Sequence, residues 1–116
     1  MKCLIYPHLD VIKSAHHIFF NGGGKKSLRT LCDEYKLYVY LSQKGHNECH
    51  GKFERQCDYK KHYKQYYQKL ICDKIGIDYF TIKPIINKSH KQWTEKEIKY
   101  MDDIKQHMEC YHEDHI

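Results

Sequence analysis

Hydrophobic residues recur along this chain with changing period, and the period predicts the elements. The run Cys3-Leu4-Ile5-Tyr6 is short and apolar and reads as a first strand. A second apolar run, "AHHIFF" at 15–20, is expected as strand, with two histidines leading it. From Leu37 to Leu41 the pattern alternates: Leu37, Val39 and Leu41 on one face, Tyr38 and Tyr40 on the other. That period of two, in β-branched and aromatic residues, predicts a half-buried strand. "SQKG" at 42–45 reads as a turn after it.

Farther on the period lengthens. Tyr59, Tyr63, Tyr66, Tyr67, Leu70 and Ile71 fall on one stripe of a helix over 57–72, closed by Gly76. Tyrosines at that spacing are read as core first and binding surface second. Pro84 and "NKSHK" at 87–91 read as a connection. Thr94 and Glu97 form a capping box for a last helix, whose stripe is Ile98, Met101, Ile104, Met108 and Tyr111. The stripe has two accounts, packing on the core or pairing with a second copy. The strongest breaker is "NGGGKKS" at 21–27, read as a flexible, positive loop.

The 116 residues fit one domain, with 1–80 as its body and 81–116 as a helical extension. No apolar run reaches membrane-spanning length and no apolar leader opens the chain, so a cytoplasmic protein that enters no membrane is expected. Twenty Lys and Arg oppose 15 Asp and Glu, and eleven tyrosines accompany them. Basic and aromatic residues together suit nucleic acid, though AT-rich codons alone would also favour Lys, Ile, Tyr and Asn. The six cysteines form no C-x-x-C pair, which argues against disulfides and against a four-cysteine zinc site.

Ten histidines make chance pairs common, so position decides which of them matter. His46 and His50 stand four apart in "HNECH", the spacing of a two-histidine clamp on a helix. His16 and His17 adjoin on a strand, where neighbours point to opposite sides. One of them could join the clamp while the other serves as a base. Three imidazoles with an open position suit a divalent ion such as Zn2+, and a fourth, unligated histidine suits the activation of water at a phosphodiester. The remaining histidines, at 8, 62, 90, 107, 112 and 115, read as surface residues.

"HHIFFNGG", then "DEYKLYVYL", then "HN" resembles the HNH endonuclease family, and within it a group of small phage-type proteins. The likeness spans roughly residues 3 to 71. It implies an α+β fold with a ββα-metal core and a following helix; it says little about residues 81–116, where the C-terminal helix comes from the residue pattern alone. It implies a metal-dependent endonuclease cutting nucleic acid, expected to be double-stranded DNA, in a bacterial host cell. His17 would be the general base, with His16, His46 and His50 ligating Zn2+, Mg2+, Mn2+ or Ni2+. Asn47 would brace the turn. Arg29, or else Lys25 and Lys26, would hold the phosphate, with Lys52 as a further nucleic-acid contact.

The chain departs from the family pattern in several places. The usual C-x-x-C is reduced to Cys3 and Tyr6 and the cysteine after the second strand is Ser42, so an accessory structural zinc site is expected to be lost. Separately, the histidine before H-N is Gly45. The stretch from Gly22 to Tyr35 is also longer than usual. Two other readings use the same residues. One is a binding or inhibitor protein on an HNH scaffold whose catalysis has been lost. The other is a zinc-finger-like module built on His46, Cys49 and His62, whose final ligand is missing.

Overall fold

A computed structural model describes residues 2–20, 26–52 and 63–114. Among these, an α+β fold sets five helices around a two-stranded antiparallel sheet. Strand β1 is Ala15–His17 and β2 is Tyr38–Tyr40, with His16 opposite Val39 and His17 opposite Tyr38. The helices are α1 Lys26–Glu34, α2 Gln43–Cys49, α3 Tyr63–Ile75, α4 Tyr79–Asn87 and α5 Glu95–Asp114. No helix among the described residues is long and apolar enough to cross a membrane.

The alternation in "LYVYL" is realised as expected. Leu37, Val39 and Leu41 are fully buried while Tyr38 and Tyr40 are half-buried on the opposite face. Ile18 and Phe19 continue β1 into the same core. The capping box forms as well: Thr94 Oγ1 accepts from the Glu97 amide at 3.2 Å, and the Glu97 carboxylate accepts from the Thr94 amide at 3.0 Å. Two otherwise orphaned amides at the head of α5 are thereby satisfied. Met101, Ile104 and Met108 of α5 pack into the common core, and of the stripe only Ile98 is exposed.

Four local expectations are corrected. Residues 3–6 are not a strand but part of a turn, in which the Cys3 amide donates to the Leu9 carbonyl and the Leu9 amide to Tyr6. An isolated bridge between Lys2 and Asp10 closes it. The long stretch before β2 is not all loop, because α1 occupies Lys26–Glu34. "SQKG" does not merely turn: Ser42 caps α2, which begins at Gln43. Pro84 lies inside α4 rather than in a connection. There a proline costs about 3 kcal/mol, and burial of Ile82, Ile85 and Ile86 at about 1.5–3 kcal/mol each offsets it.

The predicted Tyr-rich helix is present as α3, with the part of the stripe at Tyr59 outside the described residues. Tyr67 and Ile71 are buried, whereas Tyr66 is 48 % exposed and stands off the stripe. Gly76, at φ +80°, ends α3, and the Ile77 amide reaches back to the Cys72 carbonyl at 2.9 Å. His107 is exposed and His112 half-buried, and both make bonds across the fold. His107 Nε2–H donates to the Ile75 carbonyl at 2.6 Å, and His112 Nε2–H to Lys36 at 3.0 Å. Each imidazole satisfies a carbonyl near a helix C-terminus and ties α5 to the body of the fold.

Candidate metal centre

Helix α2 is only two turns long, so its termini decide whether it holds. Ser42 accepts from the Gly45 amide at 3.1 Å at the N-terminus. At the other end Gly51 adopts φ +82°, the Gly51 amide donates to Glu48, and the Lys52 amide donates to Asn47 at 2.8 Å. This pairing closes the helix beneath His50. Asn47 thus braces the turn through its backbone carbonyl, while its side chain accepts from Gln43 Nε2 at 2.8 Å. His46 and His50, one turn apart, face the same way.

Strand β1 delivers the third imidazole. His16 is 2 % exposed and lies on the inner side with Val39, facing α2. Ring centres are 5.2 Å apart for His16 and His46, 5.1 Å for His16 and His50, and 4.8 Å for His46 and His50. One ligand-capable nitrogen from each of the three lies within 4.8 Å of the other two. Phe20 leans on the group, its ring centre 4.6 Å from that of His50 and 5.7 Å from that of His16.

The electrostatics favour neutral rings. Burial, followed by the neighbouring His50, His46 and His17, holds His16 down to about 3. His46 is lowered by burial and then by Lys52, and His50 by burial and then by His46, Lys52 and Lys64. Neutral imidazole is the form that binds a metal ion. Nδ1 of His16 and Nδ1 of His46 are buried with no hydrogen-bond partner. Buried nitrogens are rarely left unpaired, and a cation would satisfy lone pairs on both sides of the group. A tetrahedral ion with bonds of about 2.0–2.1 Å needs roughly 3.4 Å between ligand atoms, so the imidazoles would draw in by about 1 Å or less. The donor set fits a divalent transition metal such as Zn2+ or Ni2+ and is too nitrogen-rich to prefer Mg2+.

His17 points away from this group, as expected of the next residue on a strand, and meets α1. Its Nε2–H donates to Asp33 Oδ1 at 2.6 Å. The carboxylate fixes the tautomer and leaves Nδ1 with its lone pair. Asp33 was missed from the sequence because the segment carrying it reads as loop. Arg29 precedes it by one turn on the same side of α1 and is exposed. No described bond joins Arg29 to the histidines. Lys25 and the side chain of Lys26 lie outside the described residues, and Lys52 is exposed beyond the end of α2.

Cys49 is no ligand in this arrangement. It is 1 % exposed, and burial pushes its thiol up to about 12. His62, the other arm of a finger-like module, lies outside the described residues. Cys3, Cys32, Cys49, Cys72 and Cys110 are free thiols. On the far side of α2, Glu48 accepts from the phenols of Tyr6 and Tyr67. These bonds fasten α2 between the N-terminal turn and α3, and nothing in the spacing announced them.

Positions 3, 6, 42 and 45 meet beside α2. A β-carbon at Gly45 would stand 3.3 Å from Cys3 Sγ and 3.4 Å from Ser42 Oγ, and the Tyr6 amide donates to Cys3 Sγ at 3.4 Å. Burial works against the Cys3 thiolate, but hydrogen bonds from Ser42, Tyr6 and Ile5 outweigh it and hold the thiol below its ordinary value. In comparisons with family models, curated proteins and solved structures, nothing matches this chain.

Proposed function

We propose that this chain is a metal-dependent endonuclease of the HNH type, with a ββα-metal core made of β1, β2 and α2, acting on the phosphodiester bonds of double-stranded DNA. The observation that carries the reading is the convergence of His16, His46 and His50 from a strand and a helix, with His17 turned to the other side of the same strand. In the family this chain resembles, that division separates metal ligands from base. A second observation supports it. The positions where the family has the cysteines of its accessory zinc site, here Cys3, Tyr6 and Ser42, are neighbours in space although distant in sequence.

His16, His46 and His50 would hold the ion, which when bound supplies Lewis-acid stabilisation of the phosphate and of the leaving oxygen. His17, oriented by Asp33, takes a proton from water through Nδ1 and passes positive charge toward the carboxylate. Phe20 covers one side of the imidazoles and limits the water around them. Arg29 and Lys52 offer positive charge to the flanking phosphates, Arg29 with two parallel donors.

Plasmid relaxation by the metal-stripped protein, reloaded in turn with Zn2+, Ni2+, Mn2+ and Mg2+, tests the reading. Cleavage should depend on the ion and fall by about 10²–10⁴-fold in His17→Ala. Cleavage unchanged in that variant would refute the assignment of the base. Tight DNA binding with no cleavage under any ion would leave a scaffold protein without catalysis.

A further inference from the structure

Lys64 on α3 places an ammonium group beside the metal centre, and Lys83 on α4 places a second against the same helix, with no carboxylate paired to either among the described residues. Lys64 Nζ lies 4.9 Å from the centre of the Phe20 ring, and that ring lies 4.6 Å from the His50 ring. One phenyl group therefore joins the lysine to a proposed ligand. Lys83 Nζ donates to Gln68 Oε1 at 3.1 Å and stands 5.3 Å from the centre of the neighbouring Phe19 ring. Lys64 and Gln68 are one turn apart on α3, so both lysines address the same face of that helix. Neither lysine has an ion-pair partner among the described residues.

The charges oppose each other. Lys64 is lowered by burial, and Lys83 by burial and then by Lys64. Two half-buried cations that repel each other, with no acid paired to either among the described residues, present a charge that an anion would relieve. Gln68 makes the same point from below. It is 1 % exposed, and its Nε2 is buried with no partner while its Oε1 holds Lys83. Turning the amide over would set its NH2 against an ammonium, so the orientation is forced. A leucine or methionine would fill that space without stranding a donor, which makes the placing of Lys83 the use of this glutamine.

We infer that Lys64 and Lys83 seat a backbone phosphate of a nucleic-acid strand, next to the phosphate presented to His16, His46 and His50. The inference rests on the nuclease reading. Two flexible ammonium groups suit a phosphate as point charges rather than as an enclosing nest of fixed donors. A strand engaged at a second phosphate beside the reacting one is aligned before reaction.

The test is the salt dependence of binding, measured with a fluorescein-labelled duplex and the full chain in EDTA, where cleavage is silent. Replacing both lysines, Lys64→Gln with Lys83→Gln, should reduce the slope of log K against log[NaCl] by about 2 and weaken binding by about tenfold or more near 0.1 M salt. The arginine pair, Lys64→Arg with Lys83→Arg, should keep the slope. Gln68→Leu should weaken binding while its melting temperature holds or rises, a combination that a purely structural glutamine would not give. An unchanged slope in the glutamine pair, with duplex binding intact in the full chain, overturns the seat and leaves the nuclease reading standing. A full chain that binds no duplex at any salt removes both. Inorganic phosphate raising the melting temperature through these lysines, with duplex binding indifferent to them, would make the seat one for free phosphate and overturn the inference.

Discussion

Acidifying the metal-free protein should destabilise it through one side chain before the carboxylates contribute. His16 titrates near 6.5 when exposed and is held down to about 3 in the fold, because charging it would bury a cation beside two other imidazoles. A folded value below the unfolded one means that the unfolded chain binds more protons between those limits. The contribution of neutral His16 is thus fully present above about pH 7 and is lost as the pH falls through 6.5 toward 3. Worked from those two values, the loss relative to pH 7 is on the order of 1 kcal/mol at pH 5.5 and on the order of 2 to 3 kcal/mol at pH 4.5. His46 and His50 shift in the same direction and add to it. Urea unfolding in EDTA at pH 7, 6.2 and 5.5 reads the loss directly, with His16→Gln alongside. The variant should start less stable and show a shallower pH dependence. Parallel curves for the two proteins would refute the claim that His16 is buried neutral.

The other predictions bear on the metal, the base and the core. Zn2+ or Ni2+ at 100 times its dissociation constant should stabilise the chain by about 2.7 kcal/mol, raising the melting temperature by about 10 °C, and His50→Ala should abolish most of the rise. Asp33→Asn should lower kcat by about 10-fold or more with KM and metal affinity little changed, because it releases His17 from its tautomer without touching the ligands. An equal loss of metal binding would assign Asp33 to the centre itself. Met101→Ala should cost about 2–5 kcal/mol in urea unfolding, since Met101 is fully buried between α5 and the body of the fold. A cost under about 0.5 kcal/mol would mean that α5 is not docked there.

The candidate site was legible where one helical turn or one strand step fixes geometry. The spacing of His46 and His50 already puts both on one face, and the adjacency of His16 and His17 already puts them on opposite sides. What joined the two pairs was the alternation of "LYVYL", which identifies the strand that pairs with β1. Asp33 was hidden for a physical reason. Three glycines at 22–24 dominate the reading of that segment, yet Leu28, Leu31 and Cys32 just beyond them repeat with helical period and are buried or half-buried on α1, with Tyr35 buried just after its end. Pro84 misled in the opposite way, since a local breaker yields to an isoleucine face that packs on the core. The run at 3–6 shows the limit of apolarity alone: four such residues make a strand only if a partner edge is free, and here the backbone bonds close on Leu9 instead. Gln68 and Lys83 were beyond sequence reasoning, because their contact links two helices whose facing sides no spacing reveals.

A crystal structure grown with Zn2+, with an anomalous map at the zinc edge, tests the central claim most directly. The account predicts one strong peak with nitrogen atoms of His16, His46 and His50 at about 2.0–2.2 Å and His17 outside the coordination shell. A peak on Cys3, Cys49 or His112, with the three imidazoles empty, would contradict it.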